Sequence, residues 1–361
     1  MKRVTLCVDS IAPRPGGIGR YTWELAKGLS SRADLDVKFF GRNRLIEDPG
    51  SLSRGDSLPR RPNKLRRWWD IRALKASLVH GPNYFLPPFA DRGIMTVHDL
   101  SVFSYPETHP VERVQAFERQ FLDSLSRAAH VITDTEKVRA EINDMFSIPS
   151  EMITAIPLGV EPIFVPRPTE ILTGPLMKLG LTPGRYGLCV STLEPRKKIS
   201  ELLAAWRILP VALRNAYPLV LCGGEGWRND DLLAEVEDSV AEGWLRHLGY
   251  VEEALLPTLY AGAALFIYPS IYEGFGLPPI EAMACGVPAI VSERSCLPEV
   301  CGDAARYICP EDIESFSATI AESLEDKAWQ EIAIRGGLAQ AEQFTWSRCV
   351  DSTANLYLDS E

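Results

Sequence analysis

One recurring unit constrains this chain more than any other feature. A short apolar run ends in glycine or polar residues, and an amphipathic stretch of helical period follows it. VTLCVD, VKFF, SLVHGPN, IMTVHDL and HVITDTE are the runs of the first half; GLCVST, PLVLCGG, LFIYPS and PAIVSE are those of the second. Continuous apolar runs suit strands buried on both faces, as in parallel sheets, and segments such as RYTWELAKGLSSR, VERVQAFERQFLDSLSRAA and ISELLAAWRIL suit the covering helices. The expected class is α/β, with two doubly wound, Rossmann-like sheets. Pro157, Pro162, Pro166, Pro168, Pro175 and Pro183 interrupt the pattern and read as a linker. The expected domains are residues 1–168 and 169–344, followed by a terminal helix over 345–361.

Length agrees: 361 residues make two domains of roughly 150 each. The net charge of −10 gives no overall basic footprint, so nucleic acid is not an expected partner. The eight cysteines form no Cys-x-x-Cys pair and no zinc-like spacing, which fits buried, reduced thiols and a cytoplasmic location. The residues after Lys2 and Arg3 are too few for a secretory signal, and no run approaches the ~20 apolar residues of a membrane span.

Doubly wound sheets bind ligands beyond the carboxyl ends of their strands, so chemistry is expected in the loops that follow them. The run YPSIYEGFGLPPIEAMACGVP places Gly274 and Gly276 between a strand and a helix that starts at Pro278 and Pro279. Glycines there let backbone N–H groups approach an anion, and the helix end adds positive partial charge. Glu273 and Glu281 offer carboxylates to vicinal hydroxyls, although Glu281 also fits simple helix-dipole compensation. Arg196, Lys197 and Lys198 stand at another strand-to-helix loop, where they suit a departing diphosphate or a solvated face. Gly16, Gly17 and Gly19 form a third loop. Thr22 stands where a dinucleotide fingerprint needs a small residue, which disfavours a nicotinamide enzyme and leaves a phosphate loop or a plain turn. His98 and Asp99 end a strand; His98 suits hydroxyl or phosphate binding with Asp99 orienting it, or a structural role.

In this order, GGIGRY, HGPNY, HDL, EPRKKISELL and EGFGLPPIEAMACGVP make the chain resemble the retaining glycosyltransferases of family 4 over nearly its whole length. Within them it is most similar to bacterial mannosyltransferases of polysaccharide and O-antigen assembly. The resemblance implies the GT-B fold, with two facing domains, an interdomain cleft, the donor held by the C-terminal domain and the acceptor by the N-terminal one. It implies that Lys197 and Arg196 bind the donor diphosphate, that Glu273 contacts the transferred sugar, and that Gly274, Phe275, Gly276 and Leu277 lie beside it. It further implies Glu281 on the ribose, Tyr250 and Val251 beside the nucleobase, Gly16 and Gly17 near the phosphates, and His98 near the sugar. Many relatives carry Gly-Arg where Ser191 and Thr192 stand, which would shift work onto Arg196. The final helix is expected to pack on the first domain.

The donor implied is a nucleotide sugar, GDP-mannose first, and the acceptor a glycan or a polyprenyl-diphosphate-linked sugar. No cofactor or metal is expected, since Asp34-Leu35-Asp36 precedes its strand and reads as a surface turn. Residues 54–75 hold Arg54, Arg60, Arg61, Lys64, Arg66, Arg67, Arg72 and Lys75 around Trp68 and Trp69. That composition suits peripheral contact with an anionic membrane, at the inner face of the plasma membrane, and equally a solvated loop with core tryptophans. A sugar-nucleotide epimerase of the same fold and a non-catalytic nucleotide-sugar-binding protein are the competing readings.

Overall fold

The computed structural model describes residues 1–13, 16–56, 63–224, 226 and 230–360. The chain forms two compact units: Met1–Pro106, Pro110–Gly159 and Thr345–Glu361 in the first, Glu107–His109 and Val160–Phe344 in the second. The division falls at Val160, earlier than residue 169. The prolines after it travel with the second unit: the Val160 N–H donates to the Phe344 carbonyl at 3.1 Å, and Phe164 packs edge-on against Tyr260.

The first unit holds β1 (Lys2–Cys7), β2 (Leu35–Gly41), β3 (Arg44–Ile46), β4 (Leu78–Gly81), β5 (Gly93–Val97), β6 (Ala128–Thr133) and β7 (Ile153–Ala155). Their order is β3-β2-β1-β4-β5-β6-β7, parallel except for the β2–β3 edge pair. Asp36 lies inside β2, paired with Arg3, so the strand starts at Leu35 and only Asp34 stands in the turn before it. The last helix, Trp346–Asp359, packs on the Gly17–Ser30 helix, where a Cβ on Gly28 would stand 2.6 Å from a Val350 methyl. Its Tyr357 hydroxyl bonds His80 Nδ1 at 2.5 Å. His80 Nε2 bonds the Thr96 hydroxyl at 2.8 Å, and that hydroxyl bonds the Tyr21 hydroxyl at 2.9 Å. A buried polar row thus ties the chain terminus to two strands and the first helix.

The second unit holds β8 (Gly187–Val190), β9 (Leu219–Cys222), β10 (Leu245–Gly249), β11 (Leu265–Tyr268), β12 (Ala289–Ser292) and β13 (Ala305–Ile308). Their order is β10-β9-β8-β11-β12-β13, all parallel. Fully buried Trp206, from the Ile199–Arg207 helix, anchors the core. It lies so close to β8 that a Cβ on Gly187 would meet its ring at 2.3 Å. Strands β10 and β13, with the sequences LRHLG and ARYI, escape the apolar-run pattern because each carries an arginine inside a short strand.

In each unit the connection direction reverses once, between β1 and β4 and between β8 and β11. These are the positions at which an open α/β sheet leaves a ligand-sized gap beyond its strand ends.

Candidate active site

Both strong motifs of the second unit flank its reversal point. The segment after β8 carries Arg196 and Lys197, and the segment after β11 carries Glu273 to Leu277. Lys198 takes a left-handed conformation (φ 55°) between the short 3-10 turn Pro195–Lys197 and the following helix, which turns the two preceding cations toward β11. The Ile271 N–H donates to the Arg196 carbonyl at 3.0 Å and fastens the two loops together.

The side chains converge. Lys197 is buried and ion-paired to Glu273 Oε1, and its Nζ also donates to the Tyr268 hydroxyl at 3.1 Å. That hydroxyl donates to Glu273 Oε1 at 2.8 Å. The Arg196 guanidinium reaches Glu273 Oε2 at 3.5 Å, the Tyr272 carbonyl at 2.8 Å and Glu194 Oε2 at 3.2 Å. Burial alone would raise the Glu273 pKa, but the charges of Lys197 and Arg196 outweigh it and hold the carboxyl at about 2. Burial, with Arg196 beside it, pushes Lys197 below the usual lysine range against the pull of Glu273.

The loop after Glu273 is built for backbone approach. Gly276 is left-handed (φ 94°) and precedes the Leu277–Ala284 helix, whose first turn carries Pro278 and Pro279. Gly274, Phe275 and Gly276 are buried, and Leu277 is half-buried. The Ser295 hydroxyl accepts from the Glu273 N–H at 3.1 Å and donates to its carbonyl at 2.7 Å, and the Cys296 thiol donates to the Glu273 and Phe275 carbonyls. Within the helix, buried Glu281 accepts from the Tyr260 hydroxyl at 2.9 Å. Arg196, Lys197, Glu273 and the glycine loop are therefore one cluster at one reversal point, and Glu281 lies on the helix that follows the loop. Tyr250 is half exposed, and with Val251 it follows the left-handed Gly249 at the end of β10, whose carbonyl accepts from the Gly223 N–H at 2.8 Å.

Spacing did not reveal Tyr268, Tyr260, Ser295, Thr192 or Glu194. The Thr192 hydroxyl donates to Glu194 Oε1 at 2.8 Å, and Glu194 holds Arg196, so the Ser191–Thr192 departure supplies a strut for the remaining arginine. Glu194 lies two residues from the arginine it steadies, a neighbour too short in range to stand out as a motif.

The first unit holds the other expected residues. Gly16 caps the Gly17–Ser30 helix without a side-chain hydrogen bond; Arg14 and Pro15, which precede it, lie outside the described residues. His98 is buried directly after β5. Its Nδ1 bonds Asp134 Oδ2 at 2.8 Å and its Nε2 bonds the Pro82 carbonyl at 2.9 Å. Both ring nitrogens are thus engaged, and Asp134 rather than Asp99 orients the ring. Tyr21 and Tyr84 pack edge-on against it.

From Lys64 to Leu74 the basic segment is a helix. Trp68 and Trp69 are 51% and 58% exposed, which overturns a core role for them. Arg60 and Arg61 lie outside the described residues. Arg54 pairs with Asp48 and Asp56, and Lys75 pairs with Asp91.

A parallel-sheet unit with two adjacent cations, a glycine-led helix end and two buried carboxylates, joined to a second α/β unit, fits the class of GT-B glycosyltransferases. Comparison with known proteins is specific. The Glycosyl transferases group 1 family matches residues 181–337, and Glycosyltransferase Family 4 matches residues 15–163. O-antigen chain mannosyltransferase B of Escherichia coli is 41% identical over 94% of this chain and 95% of that protein. O-antigen chain mannosyltransferase RfbU of Salmonella typhimurium is 29% identical over 70% of this chain and 67% of its own. Among solved structures, Anabaena Alr3699/HepE in complex with UDP and glucose superposes with a TM-score of 0.77 at 17% identity, covering 99% of this chain and 100% of that one. The chain belongs to the family 4 glycosyltransferases, and it is similar to bacterial O-antigen mannosyltransferases.

Proposed function

We propose that this enzyme transfers mannose from GDP-mannose, with retention of configuration, to a lipid-linked glycan acceptor in cell-surface polysaccharide synthesis. The observation that carries the proposal is the Arg196–Lys197–Glu273 cluster facing the Gly276 helix end, on a chain 41% identical to a mannosyltransferase. Lys197, Arg196 and the helix-end amides supply the positive charge that a departing diphosphate needs, so the reaction runs without a metal ion. Departure and attack occur on the same face of the sugar through an oxocarbenium-like state, with Glu273 on the sugar and Glu281 on the ribose. The test is a thermal-shift panel of GDP- and UDP-sugars, repeated in excess chelator. GDP-mannose is expected to give the largest shift in both. A larger shift with a UDP-sugar rejects the donor, and loss of the GDP-mannose shift in chelator rejects the metal-free reading.

The acceptor is assigned to the first unit. A cavity of about 590 Å³ there is lined by Phe40, Phe85 and Phe89 and by Asp9, Asn83 and Arg67, a mixture suited to the apolar faces and hydroxyls of a sugar. Arg67 and Ile71 reach it from the Lys64–Leu74 helix, which also exposes Leu65, Trp68 and Trp69. No described helix is long and apolar enough to cross a membrane. That helix docks on the anionic inner face of the plasma membrane and brings the cavity to a lipid-linked acceptor.

A further inference from the structure

Two buried tyrosine hydroxyls remain after the donor cluster is accounted for, and each is bonded to one of the two glutamates. Tyr268 ends β11 and Tyr260 lies in the Leu256–Ala261 helix. Both rings pack on Phe266: Tyr260 and Phe266 stand 5.5 Å apart, Phe266 and Tyr268 6.1 Å. This aromatic row fixes both hydroxyls relative to β11, and all three side chains are buried.

We infer that Tyr268 and Tyr260 are positioning residues that divide the work of the donor site, Tyr268 holding Glu273 for the chemical step and Tyr260 holding Glu281 for donor binding. The inference rests on the donor-site reading above and deepens it.

The geometry gives each hydroxyl its task. A phenol has one proton. Tyr268 spends it on Glu273 Oε1 at 2.8 Å and accepts from Lys197 Nζ at 3.1 Å, so it touches both members of the ion pair. A diphosphate competes with Glu273 for Lys197. As the lysine turns to that anion, the carboxylate loses its strongest partner, and the Tyr268 O–H keeps it ionised and aimed. Burial holds both phenols protonated well above the usual tyrosine range, so each remains a donor. Tyr260 plays no part in the lysine exchange. It gives its proton to Glu281 Oε2 at 2.9 Å, on a side chain assigned to the ribose, which does not change during the reaction.

Removing one oxygen from each ring separates these roles. Tyr268→Phe is expected to lower kcat about tenfold while the KM for GDP-mannose stays within about threefold, and to move the acid limb of the kcat–pH profile upward. Tyr260→Phe is expected to raise the GDP-mannose KM about tenfold and to leave kcat within about threefold. Glu273→Gln and Glu281→Gln, assayed beside them, distinguish the layers of the argument. If neither glutamine variant alters GDP-mannose kinetics, the donor-site reading itself falls and takes the inference with it. If the glutamine variants are impaired while both phenylalanine variants match the wild type, positioning alone is overturned. Equal changes in kcat and KM in both tyrosine variants, tracking a fall in Tm, also overturn it, because a purely structural role would act that way.

Discussion

The ammonium of Lys197 lies on the carboxylate of Glu273, although the motif logic assigns one to the donor diphosphate and the other to the donor sugar. The two are fixed by different loops, after β8 and β11, and the Tyr268 hydroxyl touches both. A pre-assembled pair of this kind keeps two buried charges neutralised until a third charged group competes for the lysine. Removing one partner leaves the other buried with weaker support, which is costly.

Lys197→Met is therefore expected to cut turnover by about 10²-fold or more, the scale of a lost charge-stabilising donor. It is also expected to lower unfolding stability by about 3 kcal/mol, the lower end for a broken buried pair, because Glu273 keeps Arg196 and Tyr268. Urea unfolding of Lys197→Met, Glu273→Leu and the double variant checks this. The double variant should be more stable than the sum of the single losses predicts. Simple additivity would show that the pair carries no coupling.

Glu273 also predicts a pH signature. Its carboxyl is held at about 2 in the folded chain against an ordinary 4.5. A depressed folded pKa contributes stability that is present above 4.5 and is lost as pH falls toward 2. Relative to Glu273→Gln, that contribution is on the order of 3 kcal/mol at neutral pH. The stability gap between wild type and Glu273→Gln should therefore narrow steadily from pH 5 to pH 3, measured by denaturant unfolding at fixed ionic strength. A gap that is constant across this range would exclude an ionised, paired Glu273.

Much of this was legible in the sequence, for a physical reason. Parallel strands covered on both faces are largely apolar, so nine of the thirteen described strands declare themselves as runs, while β10 and β13 are partly exposed and β3 and β7 are only three residues long. Glu273, Lys197 and Gly276 were legible because backbone approach, charge and carboxylate chemistry each demand a residue type at a loop following a strand. Tyr268 and Tyr260 were not, because a tyrosine at the end of an apolar run reads as core and only the fold shows where its hydroxyl points. Asp134, the true partner of His98, lies 36 residues away along the chain and meets it only through the β5–β6 pairing.

Gly276 tests the loop geometry. Its φ of 94° is costly for any residue with a side chain, and a Cβ there would stand 2.8 Å from Leu297 Cδ2. The flexible leucine end can shift, so Gly276→Ala should fold, with a loss of about 1–3 kcal/mol. The displaced helix end should raise the donor KM more than it lowers kcat. Wild-type donor kinetics in this variant would show that the helix-end amides do not touch the diphosphate.

Exposed tryptophans predict a change in binding without a change in folding. Trp68 and Trp69 pack edge-on against each other at 5.0 Å, and the Arg72 guanidinium lies 5.4 Å from the Trp68 ring centroid. Replacing both with serine should leave stability within about 0.5 kcal/mol, as for other surface changes. Flotation with vesicles rich in anionic lipid should fall sharply for this variant. Undiminished flotation would remove the helix from the membrane contact.

His98 supplies the last prediction, which concerns charge. Nε2 faces the Pro82 carbonyl, which can only accept, so that nitrogen carries a proton; Nδ1 faces the Asp134 carboxylate. Burial by itself would lower the pKa, but the Asp134 charge and the hydrogen bonds at both nitrogens outweigh it and raise it above the ordinary 6.5. A raised folded value contributes stability that is full below 6.5 and is lost as pH climbs through the folded pKa. Asp134→Asn keeps the shape but removes the charge, leaving burial to dominate, so His98 should then titrate below 6.5. The imidazole Cε1–H resonance, followed by NMR from pH 5 to pH 9, reads both values directly. A wild-type His98 titrating at or below 6.5 would mean that Asp134 does not hold an imidazolium, and the ring would then be a neutral strut between β5 and the Pro82 loop.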